Sequence, residues 1–300
     1  AGISLRLKCP LPMAYAFLAF QNYKRQQDTF KGLPDLLADA LPDKYGNNLI
    51  NTWLAQNARP AESMNPVEKL CFIGTRGMGA LEFEAAQMKS GRRSFALEVS
   101  SLVDIARKIS DSGYSFKSEL NAEENQELKN LLKIGTSAGG VRPKAIIAYN
   151  KTTKEIRFGQ AQVPKGFEHW LLKLDGVSGE QFGESNNGGK IEYAYYLMAL
   201  DCGLNISESK LLEENSRTHF ITKPFDREGN TKHHMQTLCG LQHFNYNKMH
   251  SFCYEQVFQT MRQLRLTYPE AEQMYRRMVF NVLATNHDDH TKNFSFLLIK

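Results

Sequence analysis

The sequence predicts an α+β fold in which an N-terminal α/β subdomain precedes a small antiparallel sheet lobe and then a helical lobe. Three observations predict it. Residues 1–125 read mainly as helices broken by one glycine-rich turn. After a polar stretch at 121–130 the texture changes to short apolar runs separated by turn residues, and beyond 226 apolar positions return to helical spacing. The expected bounds are therefore 1–125, 126–225 and 226–300.

In the first part, residues 34–40 and 44–54 have apolar positions at helical spacing, and Asn65 followed by Pro66 reads as an N-cap with proline at the first helical position. The run Gly74-Thr75-Arg76-Gly77-Met78-Gly79 then breaks the pattern before an expected short strand at 80–83. A further helix over 97–109 aligns Leu102, Ile105 and Ile109. The polar stretch that follows is either a linker or a solvated helix leading into the next domain.

Strands are expected at 145–149, near Ile156 and at 170–174, with a turn at 151–154. A helix over 192–202 closes at Gly203, where a left-handed cap is wanted. Strands around Leu211 and over 220–222, a hairpin turn at 226–230 and two helices complete the order. The last helix, from Pro269 to about Thr285, is expected to bury a stripe of Met278, Val279, Val282, Leu283 and Thr285.

Composition narrows the function classes. The chain has 300 residues, 42% hydrophobic and 23% charged, which is enough apolar surface for a core and excludes global disorder. Five cysteines without a Cys-x-x-Cys spacing argue against a disulfide framework and a zinc ribbon, so a reducing, cytoplasmic setting is expected. The apolar run at 11–20 carries Pro12 and falls short of the roughly 20 residues that span a bilayer, and no secretory signal is visible, so no membrane association is expected. The net charge of +5 divides into +1 over 1–125 and +4 over 126–300 without a block of like charges. That gives no nucleic-acid arm or polybasic anchor and leaves only a modest basic patch on the second part. No period of 20–50 residues repeats, which excludes solenoids.

The densest polar cluster is Asn286-His287-Asp288-Asp289-His290-Thr291-Lys292-Asn293, between an apolar helix and an apolar strand. A solvated loop is the plain alternative, but functional residues concentrate on loops held by rigid neighbours. In one functional reading His287, Asp288, Asp289 and His290 bind a transition metal whose water performs hydrolysis. In the other, Asp288 accepts a proton from a hydroxyl while Asn293, five residues on, holds Mg²⁺ on nucleotide phosphates.

Two further features favour the second reading. Gly135-Thr136-Ser137-Ala138-Gly139-Gly140-Val141-Arg142-Pro143-Lys144 has the small residues that let backbone N–H groups approach phosphate. It departs from a Walker A loop at Val141 and Arg142, and taken alone it also reads as a tight turn. Lys173 lies among apolar neighbours in Trp170-Leu171-Leu172-Lys173-Leu174, where its ammonium needs an anion unless it snorkels from a sheet edge. Glu192, expected to open the next helix, is either its partner or an acid favoured there by the helix dipole.

Glycine-rich loop, strand lysine, helix glutamate and Asp-x-x-x-x-Asn stand in the serial order of a protein kinase. The wording Ser137 to Lys144, then Phe225-Asp226-Arg227, then His287 to Ser295 resembles the HipA family of bacterial serine/threonine-protein kinase toxins, as do Lys31-Gly32-Leu33-Pro34 to Asp43 and Gly74 to Phe83 in the N-terminal part. The resemblance implies a protein-kinase-like bilobal fold and an ATP- and Mg²⁺-dependent kinase acting on a protein such as an aminoacyl-tRNA synthetase. It also implies a helix-turn-helix antitoxin of HipB type and contact with operator DNA through the complex. By the same resemblance Asp288 is the catalytic base. Gly139, Gly140, Val141, Arg142, Pro143 and Lys144 form the phosphate loop and Lys173 contacts phosphate. Lys223, Pro224 and Phe225 lie beside the adenine, and His290, Thr291, Lys292 and Asn293 form the nucleotide and metal loop. Ser137 matches the autophosphorylated serine, where a phosphate dianion would repel nucleotide phosphates.

A kinase also requires a second acidic metal ligand downstream of the catalytic loop, and none occurs between Asn293 and Lys300. A catalytically silent kinase-fold module that binds an antitoxin or nucleotide is therefore the alternative to an active kinase, with the His-Asp-Asp-His hydrolase third. The strand expected at 294–299 should need a hairpin partner beyond Lys300, which makes the chain read as a fragment.

Overall fold

A computed structural model describes residues 27–84, 96–112, 121–135, 142–159, 162–177, 187–248 and 252–298. The described residues fall into two compact units, one made of those within 41–195 and 207–232, the other of those within 27–40, 196–206 and 233–298.

In chain order the helices are α1 Gln27–Phe30, α2 Asp35–Ala38, α3 Lys44–Gln56, α4 Pro66–Ile73, α5 Val99–Ser112, α6 Ala122–Gly135, α7 Gly188–Asp201, α8 Leu238–Gln242, α9 Tyr254–Gln263 and α10 Tyr268–Leu283. The strands are β1 Lys144–Tyr149, β2 Ile156–Phe158, β3 Glu168–Lys173, β4 Ser209–Glu214, β5 Arg217–Thr222, β6 Arg227–Glu228, β7 Thr231–Lys232, β8 His234–Thr237 and β9 Ser295–Leu298.

The first unit is a layer of helices on an antiparallel sheet of order β2-β1-β3-β5-β4. Interior strand β1 is buried from Ala145 to Tyr149, and Trp170 of the central strand β3, opposite Ile147, is fully buried. Leu49 and Ile50 of α3, Leu102 and Val103 of α5 and Leu128 and Leu131 of α6 share one core with these strands. Burying each such side chain contributes roughly 1.5–3 kcal/mol, so helices and sheet stabilise each other as one body.

Local sequence explains the helix starts. The Asn65 side chain accepts the Glu68 N–H at 2.9 Å while Glu68 accepts the Asn65 N–H at 2.9 Å, a capping box in front of Pro66. The same reciprocal pair joins Asn121 and Glu124 at 2.8 and 3.1 Å. The polar stretch at 121–130 is thus the start of α6, whose Leu128, Leu131 and Leu132 enter the core, and the residue-125 boundary falls inside it.

Residues 81–84, in contrast, form no strand. Leu81 and Phe83 are buried and Glu82 is exposed, so the alternation comes from an extended segment that inserts two side chains without a neighbouring ladder. Its course is set by the Phe83 N–H, which donates to Gly74 O at 3.1 Å, and by Gly74 and Gly79 at φ +62° and +70°. The Gly79 N–H donates to fully buried Asp226 at 2.7 Å, tying this turn to the β6–β7 hairpin.

The second unit gathers α1, α2, α8, α9, α10 and the β8–β9 ladder, with a core of Leu238, Val257, Met261 and Met274. Within the second unit the terminal strand pairs with β8, in the register His234↔Leu298 to Thr237↔Ser295. One expectation changes here. The stripe on α10 is not buried: Val279, Val282 and Leu283 are exposed, the last at 79%, and Met274 takes the core position. Apolar residues surround α10 on more than one face, and periodicity alone does not choose among them.

His169 on β3 supplies a pH signature. Burial, with the nearby positive charge of Arg227, pushes its pKa down to about 4. Between about pH 6.5 and 4 the unfolded chain binds this proton and the folded chain does not, so stability falls as pH drops through that window, by up to about 3 kcal/mol. Urea unfolding from pH 7 to 4.5 is expected to show this acid loss, and His169→Gln to remove about one proton from its slope.

Candidate functional site

The first unit holds a small cleft lined by Arg142, Lys173, Asp175, Gly188, Gly189 and Glu192. Antiparallel pairing of β1 with β3 sets Lys144 opposite Lys173, so the residues that follow the glycine-rich segment start β1 beside the strand lysine. The Lys173 ammonium lies 5.6 Å from the centroid of Phe220, its neighbour on β5, and pairs with the Glu192 carboxylate. Both side chains are partly exposed at 31% and 26%, so an anion can still reach the ammonium.

Glu192 does not open its helix. Helix α7 begins at Gly188, so Glu192 lies in its second turn, and the dipole explanation gives way to the ion pair. The approach depends on glycine: a Cβ on Gly189 would lie 2.1 Å from Thr218 O, and one on Gly188 3.2 Å from Arg142 Nη1 and 3.5 Å from Asp175 Oδ1. The buried Asp175 is fixed through its backbone N–H, which donates to Nδ1 of fully buried His219 at 2.8 Å. Burial lowers the His219 pKa, which keeps the ring neutral with its proton on Nε2, 3.5 Å from Glu214. Asp175, His219 and the Gly188-Gly189 pair were not read from sequence; the acid just after the strand lysine and the glycine pair before the helix were the available signals.

Ser137, Gly139, Gly140 and Val141 lie outside the described residues. Arg142 is exposed and Pro143 buried. Gly135 is the last residue of α6, where a Cβ would come within 3.0 Å of Leu49. Lys223, after β5, sends its ammonium to Glu208 at 3.1 Å and Glu168 at 3.5 Å, beside buried Pro224 and exposed Phe225. Lys210, with Lys223 and Lys151, holds Glu208 down to about 2 against the cost of burial.

In the second unit the loop between α10 and β9 contains Asp288, whose side chain is 83% exposed, with His290 Nε2 at 3.4 Å from its Oδ1. Neighbouring Asp289 is held: Tyr254 donates its hydroxyl to Oδ2 at 2.7 Å, and Asn281 donates to that hydroxyl at 2.9 Å. The Asn293 side-chain amide donates to Asp288 O, and its backbone N–H to His290 O at 2.8 Å. Thr291 is buried, and Lys292 lies 5.1 Å from the Tyr246 ring centroid. Among the described residues no group of three His, Cys, Asp or Glu converges on a metal position. Asp289 and Asp288 engage different partners, so the His-Asp-Asp-His run gives a hydrolytic metal no convergent set of ligands.

A model of the HipA-like C-terminal domain matches residues 136–300, and one of the HipA N-terminal domain matches residues 4–84. The chain belongs to the HipA family. No curated protein sequence matches it. Among solved structures it is similar to the Shewanella oneidensis MR-1 HipA in complex with HipB and operator DNA, with TM-score 0.61 and 17% identity over 90% of this chain. That likeness concerns the mixed helix and antiparallel-sheet fold, and the chain spans 63% of that HipA chain's length. Among the described residues no helix is long and apolar enough to cross a membrane.

Gly189→Ala is expected to push α7 off β5 and cost about 1–3 kcal/mol. Thermal melting should register a fall of several degrees, and the collision predicts a larger loss for Gly189→Val.

Proposed function

We propose that the chain is the toxin component of a HipA/HipB-like system, an ATP- and Mg²⁺-dependent serine/threonine-protein kinase with a kinase-like sheet lobe and helical lobe. The observation that carries this reading is the Lys173–Glu192 pair: a strand lysine steadied by a helix carboxylate, partly exposed beside Arg142. In a kinase such a lysine grips nucleotide phosphate, and the glutamate fixes its direction.

Arg142 and Lys173 would hold phosphate oxygens by charge-assisted hydrogen bonds, with Gly139, Gly140 and Val141 contributing backbone N–H groups. Asp288 would accept the proton of a substrate serine or threonine hydroxyl as its oxygen attacks the γ-phosphorus and ADP leaves. Its exposure supports that role, since a base must reach its donor. The Asn293 amide donates through nitrogen, which leaves its oxygen as a hard ligand suited to Mg²⁺. Bound Mg²⁺ would neutralise charge developing on the phosphates. Nucleotide binding without transfer is the competing reading.

Family membership and the HipA–HipB–operator DNA neighbour support a helix-turn-helix antitoxin partner and operator contact through it. The proposed target class is a protein such as an aminoacyl-tRNA synthetase in the cytoplasm, with Ser137 as the self-inactivating phosphorylation site.

Asp288→Asn should lower phosphate transfer about 10²- to 10⁴-fold while calorimetric ATP affinity stays near wild type. Lys173→Met should instead weaken ATP binding about ten- to a hundredfold. ATP binding with no transfer in the wild type would establish the silent module. Mass spectrometry after Mg-ATP incubation is expected to find phosphate on Ser137, and an unmodified Ser137 in an active enzyme would remove the self-inactivation step.

A further inference from the structure

Asp39, just beyond α2, is distant in sequence from the Asp288 loop yet belongs to the same unit. Its Oδ2 accepts the Thr237 backbone N–H at 2.7 Å, and its Oδ1 accepts the Thr237 hydroxyl at 2.7 Å. That hydroxyl oxygen also accepts the Gly240 N–H at 3.1 Å, so one carboxylate and one hydroxyl fix the junction where β8 ends and α8 begins. The next two backbone groups leave this junction for the loop. The Leu238 N–H donates to Phe294 O at 2.8 Å and the Cys239 N–H to Thr291 O at 3.1 Å. These bonds bracket Asn293 and end three residues from Asp288.

The contact is built closely. A Cβ on Gly240 would lie 2.7 Å from Asp39 Oδ2, so only glycine lets the carboxylate come down on the junction. Gly240 lies within α8 and its φ is not positive, so its conformation gives no other reason for glycine.

We propose that Asp39 is a positioning residue for phosphate transfer: through Thr237 it holds α8 in register, and α8 holds Thr291 and Phe294, which set the height of the Asp288–Asn293 loop. This rests on the assignment of Asp288 as base. A carboxylate gripping two donors at one residue resists both shift and rotation, whereas an amide offers one acceptor and an alanine none. Loop displacement of about 1 Å is enough to reduce transfer strongly without touching the nucleotide phosphates.

Hydrogen exchange of the intact protein reads the first link without depending on catalysis. In Asp39→Ala the Leu238 and Cys239 amides should exchange about tenfold faster or more, with strand 144–149 unchanged. Unchanged protection at Leu238 and Cys239 would overturn the proposal. Kinetics reads the second link. In Asp39→Ala kcat should fall about tenfold or more with KM for ATP within about twofold, and Asp39→Asn should be intermediate. Gly240→Ala, which keeps the carboxylate but drives it away, should give the same pattern if Asp39→Ala fails to fold. The double variant should be no worse than the more impaired single one, because both break one contact. Additive losses, or kcat at the wild-type value in both variants, would refute a positioning role. If Asp288→Asn leaves transfer intact, the base assignment fails, and the exchange result still decides whether Asp39 braces the loop.

Discussion

The cleft depends on a constraint of space before any charge: the first turn of α7 has to lie on β5 at a distance that only glycine permits. Gly189 meets Thr218 O where a Cβ would stand at 2.1 Å. Because the helix starts there, Glu192 arrives in the second turn, within reach of Lys173. Were α7 displaced outward by the width of a methyl group, the lysine would stand on its strand without a counter-charge. A partly desolvated ammonium is then free to bend toward solvent. The ion pair itself is partly exposed, so its Coulomb energy contributes little to stability; its value is directional.

The second unit solves a similar problem by other means. Its loop is braced by backbone carbonyls, a phenol and side-chain amides. Tyr254 is the clearest case: burial raises its pKa to about 12, so the hydroxyl remains a donor to Asp289 throughout the neutral range. Brackets of this kind do not weaken in salt as surface ion pairs do. The terminal strand adds to the effect. Pairing β9 with β8 within the same unit pins the far end of the loop.

Much of this was legible in the sequence where local physics decides the outcome. Asn65-Pro66 announced a capped helix, Gly203 a left-handed stop at φ +70°, and the runs around Ile147, Trp170 and Phe220 became adjacent strands. The motif residues Lys173, Glu192 and Asp288 stood out because their chemistry is costly or conspicuous in its setting. What stayed hidden depends on distant contacts. Leu81 and Phe83 alternate like a strand but are buried without joining a sheet ladder, and the close packing of α7 on β5 turns on the missing Cβ of Gly189, which no propensity reports. The exposed stripe on α10 shows the same limit. Periodicity says which side chains share a face, whereas burial depends on what is packed against that face.

Adjacent Asp288 and Asp289 show how a backbone turn divides labour between identical side chains. Their chemistry in isolation is the same, yet Asp289 is fastened to Tyr254 while Asp288 projects to solvent with His290 near its carboxylate. A carboxylate already accepting a bond from a phenol is held in one orientation. A carboxylate in water is unconstrained and therefore costly to orient. The loop combines the two. The fastened aspartate fixes the chain one residue away from the exposed one, and the Asn293 amide on Asp288 O fixes it from the other side. Orientation is thus imposed on the Asp288 backbone while its side chain stays open to solvent, as the proposed role of a general base would require.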